Sequence, residues 1–210
     1  MTRLKQYINK KSIIYDDKYT DSIFKLIRKD CKPYLKMIKP YKEVFYRGTD
    51  QGNVPFLKRN TRTDRYPLTM NVNIHKILDK VFSKHFGWKV RSEGVFTSGD
   101  EEGAEGYGDV YLFFPIGKFD YVFSPGLDDL FMEIRHIVGE DNYRSKTKFD
   151  VIEQKLDDYI EEYYVQNKDL KYAFDCGEVV FNCKSYYLVR LKNIEERWET
   201  DRYFIEELVS

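Results

Sequence analysis

Cysteine is scarce in this 210-residue chain, and the few cysteines lie far apart. Cys31, Cys176 and Cys183 form no Cys-x-x-Cys pair and no cluster with histidine. Their spacing argues against a zinc site and against a disulfide framework. We therefore expect a protein without a zinc site in a reducing compartment, the cytoplasm.

Net charge and long apolar runs are missing as well. The 35 Lys and Arg residues balance 35 Asp and Glu residues, so no global positive field is present to attract a nucleic-acid backbone. Residues 3–11 and 58–65 are nevertheless locally basic, which leaves a polyanionic partner open. No apolar segment approaches the ~20 residues that span a bilayer, and the polar N-terminus is unlike a signal peptide. We expect no membrane partner.

Aromatic residues are abundant instead, at 17% of the chain. Such a density favours a sheet-rich core and surfaces on which a flat ligand can stack. No repeat, low-complexity tract or Pro/Ser linker divides the sequence. We therefore predict a single domain over residues 1–210, with a helical segment at residues 1–40.

The hydrophobic periodicity predicts an α+β fold. Residues 71–86 form the clearest helix, since apolar residues recur there at helical spacing between an N-terminal cap, Asn71 or Asn73, and Gly87. A strand at 43–48 precedes this helix, and a polar loop is predicted over residues 50–69. The later segments comprise strands at 94–98, 108–114, 119–123, 178–181 and 186–191 and helices at 127–137 and 148–166. We expect two packed, mainly antiparallel sheets with a cleft between them, or a single sheet with helices on one face.

Three short stretches combine residue types that suit ligand chemistry. "FYRGT" ends a strand on Arg47 and Gly48, although an arginine is costly to bury without an anion or carboxylate. "VFTSGDEEGAEGYG" ends a strand on two hydroxyls, Thr97 and Ser98, and continues into a glycine-rich loop. "GEVVF" places Glu178 at the first position of a late strand.

In this order, the three stretches resemble the ADP-ribosyltransferases of the arginine–serine–glutamate type, over residues 43–191. The resemblance implies an ADP-ribosyltransferase-like core of two sheets with a central NAD cleft. It implies an enzyme that uses NAD as co-substrate, without a metal, and transfers ADP-ribose to a macromolecule. By analogy with the family, the protein is expected to act in toxin–antitoxin or phage–host conflict systems, where an antitoxin or inhibitor protein would be its partner.

The resemblance also assigns roles to residues. Glu178 would be catalytic and bond to the ribose 2′-hydroxyl, and Ser98, helped by Thr97, would orient Glu178. Gly48 would let the dinucleotide lie against its strand, and Tyr107 would stack on nicotinamide or, equally, be a core tyrosine. The full NAD-binding set is Arg47, Gly48, Thr49, Thr97, Ser98 and Tyr107.

Two departures from the family pattern bear on the acceptor. Phe96 replaces the first serine of the Ser-Thr-Ser strand, and Cys176 stands where arginine-modifying members carry Glu. Without that second carboxylate, no base is evident for a guanidinium acceptor. The preceding segment offers Tyr172 and Phe174 beside two lysines, a combination that suits an unpaired base, so acceptor binding is assigned to Tyr172, Phe174 and Cys176. We lean toward a nucleic-acid acceptor, with a protein side chain other than arginine as the alternative.

Other interpretations remain open at this stage. The chain could be a divergent, catalytically inactive member that keeps the same fold and serves as a binding or inhibitory module. A metal-dependent nuclease is disfavoured, because Lys184 has no paired Asp/Glu-x-Lys motif. Arg62 and Arg65 are interpreted as a solvated loop, although they could contact NAD phosphates, and Asp128, Asp129 and Glu133 are interpreted as helix capping and surface charge.

Overall fold

The computed structural model describes residues 17–51, 54–67, 70–127, 129–139, 149–193 and 200–210. Residues 1–16 and Asp128, about which the sequence makes predictions, lie outside these ranges. The helices are α1 (Asp17–Asp30), α2 (Lys32–Ile38), α3 (Val72–Phe86), α4 (Val90–Glu93), α5 (Glu101–Glu105), α6 (Leu130–Val138), α7 (Phe149–Tyr163), α8 (Leu170–Ala173) and α9 (Asp201–Val209). The strands are β1 (Phe45–Gly48), β2 (Phe56–Asn60), β3 (Val95–Thr97), β4 (Val110–Pro115), β5 (Phe119–Phe123), β6 (Val165–Gln166), β7 (Val179–Cys183) and β8 (Ser185–Arg190). Within the described ranges, no helix is both long and apolar enough to cross a bilayer.

The strands form two four-stranded antiparallel sheets, which confirms the predicted α+β class. The first sheet has the order β1-β4-β8-β2, and the second has the order β3-β7-β5-β6. Each neighbouring pair of strands is antiparallel. The two sheets also meet directly, through an isolated antiparallel bridge between Tyr46 and Ser98.

Alternation along β7 explains why the second sheet is buried on both faces. Val179 and Phe181 belong to the core that packs against the first sheet and the terminal helices. Val180, between them, belongs to a second core formed with α3, α6 and α7. Successive strand residues point to opposite faces, so a continuous apolar strand serves two layers. The aromatic residues fill the first core, where the ring of Phe181 lies 5.0 Å from Phe113 and 5.1 Å from Phe45 between centroids.

The predicted helix at 71–86 is confirmed together with its ends. Asn71 caps α3 by accepting the N–H of Asn73 at 2.8 Å, and Gly87 ends it with a φ of 81°. Left-handed backbone of this kind favours glycine. The helix thus stops where the chain must turn toward α4 and β3.

Several elements differ from the prediction, among them the short helices α4, α5 and α8, none of which was predicted. Strand β2 lies inside the segment predicted as a polar loop. No strand was predicted there because only Phe56 is buried, so buried and exposed residues do not alternate along this segment. The helix predicted over 148–166 ends at Tyr163, and Val165 and Gln166 form β6. Helix α9 was not predicted, although it packs Phe204 against Phe24 of α1 with 5.1 Å between ring centroids.

Candidate active site

Backbone pairing brings the three sequence stretches to one place. Tyr46 and Ser98 exchange two main-chain hydrogen bonds of 2.8 Å, which join the end of β1 to the end of β3. Strand β3 then pairs with β7, with Thr97 opposite Val179. Ser98 follows Thr97 and Glu178 precedes Val179, so this last pair of the ladder brings both residues to the same end of the sheet. The arginine, hydroxyl and carboxylate elements therefore converge through strand pairing.

A cleft of about 590 Å³ opens at this junction. All of the residues that the sequence assigns to catalysis and NAD binding line it: Arg47, Gly48, Thr49, Thr97, Ser98, Tyr107 and Glu178. The cleft is also lined by residues that the sequence analysis did not assign to the site or named there only as an alternative, among them Arg65, His75, Arg91, Phe96 and Asp129. Arg65 was interpreted as part of a solvated loop, whereas it lines the cleft. Arg91 had no sequence signal, because only the tertiary fold brings its helix next to Glu178.

The Glu178 carboxylate is held by an arginine that the sequence analysis missed. Nη1 of Arg91 donates to both carboxylate oxygens of Glu178 at 2.9 Å, and the two side chains are only 13% and 12% exposed. Burial raises the pKa of Glu178 above its ordinary value, and the guanidinium of Arg91 opposes that rise. A carboxylate has about four lone-pair sites, so the single donor nitrogen leaves acceptor capacity on both oxygens.

Phe96 supports two guanidinium groups in the cleft. The central carbons of Arg65 and Arg91 lie 4.3 Å and 4.5 Å from the centroid of its ring. A phenyl face stabilises cations at such distances. The departure from serine at this position thus provides a surface for positive charge.

Positive charge accumulates in the cleft. Arg47 donates from Nη1 to the main-chain oxygen of Phe96, and Arg65 donates from Nη1 to Gly94 O at 3.4 Å. Burial, together with the charges of Arg47, Arg91 and Arg62, lowers the pKa of Arg65 to about 10. Among the described residues, neither Arg47 nor Arg65 has a carboxylate at ion-pair distance. The two guanidinium groups therefore suit an anionic ligand.

The hydroxyls of β3 have different partners from those expected. Thr97 Oγ1 donates to the main-chain oxygen of Val179 at 2.8 Å, which ties β3 to β7. Ser98 Oγ donates to Asp100 Oδ2 at 3.1 Å rather than to Glu178. The expectation that Ser98 orients Glu178 is therefore corrected, because Arg91 holds the carboxylate in this structure.

Gly48 is required by the protein itself. A Cβ atom at this position would lie 1.8 Å from the main-chain oxygen of Ala104 and 2.9 Å from Cβ of Tyr107. Helix α5 therefore packs directly on the backbone of β1. This contact is by itself sufficient to require the glycine after Arg47.

Tyr107 lies at the rim of the cleft. Its side chain is 70% exposed, so it is not a core tyrosine. An exposed ring beside the cleft is available to stack on a flat ligand.

The residues assigned to acceptor binding do not share one surface. Phe174 is buried and its ring stacks on Phe45 with 4.7 Å between centroids. Cys176 is also buried, and its Sγ donates to the main-chain oxygen of Tyr172 at 3.1 Å. Tyr172 alone of the three is exposed, at 59%. Phe174 and Cys176 are therefore packing residues, and their assignment to acceptor binding is corrected.

Comparisons of the chain with protein-family models, with curated proteins and with solved structures gave no match. In the ranges that the structure describes, no three His, Cys, Asp or Glu side chains lie close enough together to hold a metal ion. Asp129, which lines the cleft, caps α6 by accepting the N–H of Phe131 at 2.7 Å, as the sequence predicts for this acidic segment.

The close contact at Gly48 yields a stability prediction with a matched control. Gly48→Ala should lower the free energy of unfolding by about 1–3 kcal/mol, because the new methyl group collides with the backbone of α5. Gly106→Ala, at the end of the same helix, meets no atom within 4 Å and should leave stability unchanged or slightly improved. Denaturant unfolding of both variants measures the difference, and equal stability of the two would contradict the packing argument.

Proposed function

We propose that the protein is an NAD-dependent ADP-ribosyltransferase. The observation that carries the proposal is the convergence of Arg47, Ser98 and Glu178 on one cleft. These residues come from three separate parts of the chain, and their order matches the resemblance noted in the sequence. The cleft volume, about 590 Å³, lies within the range of roughly 300–1,000 Å³ that is usual for small-molecule sites.

In this proposal, Arg47 and Arg65 bind the diphosphate of NAD. Both guanidinium groups line the cleft and are held by main-chain oxygens. Two negatively charged phosphates would offset the positive charges that lower the pKa of Arg65, that of Arg47 among them. Tyr107, exposed at the rim, would stack on the nicotinamide ring.

Glu178 supplies the charge that the reaction needs. The bond between the ribose C1′ and the nicotinamide nitrogen breaks, and its electron pair leaves with the nitrogen, which loses its positive charge. The ribose develops oxocarbenium character, as in glycoside hydrolysis, and a nearby carboxylate stabilises it. A nucleophilic atom of the acceptor then bonds to C1′ and gives up its proton to water.

Replacing Glu178 by Gln tests the reaction. The neutral amide cannot stabilise the developing positive charge, so nicotinamide release from NAD should fall by about 100- to 1,000-fold. Nicotinamide is measured by chromatography with purified protein. Glu161→Gln, on the exposed face of α7, removes an equal charge and should retain full activity.

The interpretation of that variant requires a folding measurement, because Glu178→Gln also leaves Arg91 without its carboxylate. Circular dichroism at the assay temperature should therefore show a folded variant. Full activity of folded Glu178→Gln would refute the catalytic assignment. Binding of NAD by the unaltered protein without any release of nicotinamide would identify an inactive binding module.

The arginines of the loop before α3 offer a second paired test. Arg65→Gln should raise KM for NAD by about tenfold, because a charge-assisted bond to phosphate is lost. Arg62→Gln removes the same charge from an exposed side chain that pairs with Asp64 at 3.4 Å, and it should leave KM near the original value. Initial-rate kinetics at constant ionic strength distinguish the two. A similar KM for both variants would show that Arg65 does not contact the ligand.

We further propose that the acceptor is a nucleic acid. The segment before Glu178 exposes Tyr172 together with Lys168 and Lys171, which suits a base that stacks on an aromatic ring beside positive charge. The buried thiol at Cys176 donates to a main-chain oxygen and cannot serve as the carboxylate base of an arginine acceptor.

Labelled NAD tests the class of acceptor. Cell lysate is incubated with the protein and NAD labelled in the adenosine moiety, and the macromolecular label is divided between nuclease and protease digestion. Label released by nuclease alone is the expected result, and Tyr172→Ala should reduce it while Tyr163→Ala, an exposed tyrosine on α7, should not. Label that resists nuclease and is lost to protease would establish a protein acceptor instead.

A further inference from the structure

A buried carboxylate on α3 provides the N-terminal cap of α4. Helix α4 has Lys89 at its N-cap position, and this side chain makes no capping bond. Asp79 takes its place: Oδ1 accepts the N–H of Arg91 at 2.9 Å and that of Ser92 at 3.1 Å, while Oδ2 accepts the Ser92 hydroxyl. These amides are among those that a helix cannot satisfy internally.

The residue fixed in this way is the one that holds Glu178. Asp79 bonds to the main chain of Arg91, and the side chain of Arg91 reaches both oxygens of Glu178 at 2.9 Å. Asp79 itself is 6% exposed, and it is not among the residues that line the cleft. It therefore acts on the cleft through Arg91.

We propose that Asp79 is a positioning residue for Glu178, acting through the main chain of Arg91. The catalytic consequence of this proposal rests on the proposed function, whereas the effect on Glu178 itself does not. The charge of Arg91 favours the ionised carboxylate against the cost of burial. Loosening α4 weakens that pairing and makes Glu178 easier to protonate.

His75 also contacts Ser92 and Asp79. His75 Nε2 lies 3.0 Å from Ser92 Oγ and 3.5 Å from Asp79 Oδ2. Burial lowers the pKa of His75, and the charge of Asp79 opposes that shift. The charged and titratable groups that act on Glu178 from the surrounding elements are Arg91, Asp129, Arg65, Tyr164 and Tyr107.

The test is a titration of Glu178 that needs no substrate. In protein labelled with ¹³C at glutamate carboxyls, the Glu178 signal is assigned as the one absent from Glu178→Gln. Asp79→Ala should raise the pKa of Glu178 by about one unit, and Arg91→Met should raise it by about one to three units. Asp79→Asn, which keeps a weaker neutral acceptor, should give a smaller rise in the same direction.

A double variant separates positioning from general destabilisation. In the Arg91→Met background, Asp79→Ala should not raise the pKa of Glu178 further, because the intermediary is already gone. An unchanged Glu178 pKa in folded Asp79→Ala overturns the proposal, whatever happens to the melting temperature. If Asp79→Ala does not fold, an unchanged pKa in Asp79→Asn overturns it.

Activity provides an independent readout. If nicotinamide is released, the acid limb of its pH–rate profile should move to higher pH in Asp79→Ala by the same amount as the titration of Glu178. Absence of release in the unaltered protein would refute the proposed function and leave the titration to decide the role of Asp79. Release with an unmoved acid limb would refute the role of Asp79 but would leave the proposed function standing.

Discussion

The pair of main-chain hydrogen bonds between Tyr46 and Ser98 is the constraint on which the cleft depends. It fastens the end of β1 in one sheet to the end of β3 in the other. Immediately beyond this bridge, Arg47 and Glu178 line the walls of the opening. Because the bridge consists of backbone groups, it tolerates changes of side chain but fixes where each neighbouring side chain begins.

Local patterns in the sequence predicted the elements whose signal is local. Helix α3 carries its apolar stripe, its Asn71 cap and its terminal Gly87 within one short segment, and all three are confirmed. Strand β2 carries no such signal, since Phe56 is buried while Lys58 and Arg59 face solvent at the edge of the sheet. Its strand character comes from pairing with β8, which a single short segment cannot reveal.

The residues of the candidate site also fall into two groups, those with a local sequence signal and those without one. Arg47, Ser98 and Glu178 could be selected from sequence because each stands in a recognisable stretch at a strand end. Arg91 could not, since its partner Glu178 is 87 residues away and the cap from Asp79 arises only when α4 packs on α3. Gly48 has a structural reason that the sequence could not reveal, because the atom that excludes a side chain there belongs to the backbone of α5.

The electrostatics of the cleft reconcile two requirements that oppose each other. A carboxylate that is to stabilise a cation gains from burial, because charges interact more strongly away from water, yet burial also favours its protonated form. Arg91 resolves the conflict by supplying a fixed positive charge at 2.9 Å, and Phe96 supports that guanidinium from its ring face. In the proposed function, the attraction for an anionic ligand falls to Arg47 and Arg65, so ligand binding and catalysis are assigned to different arginines.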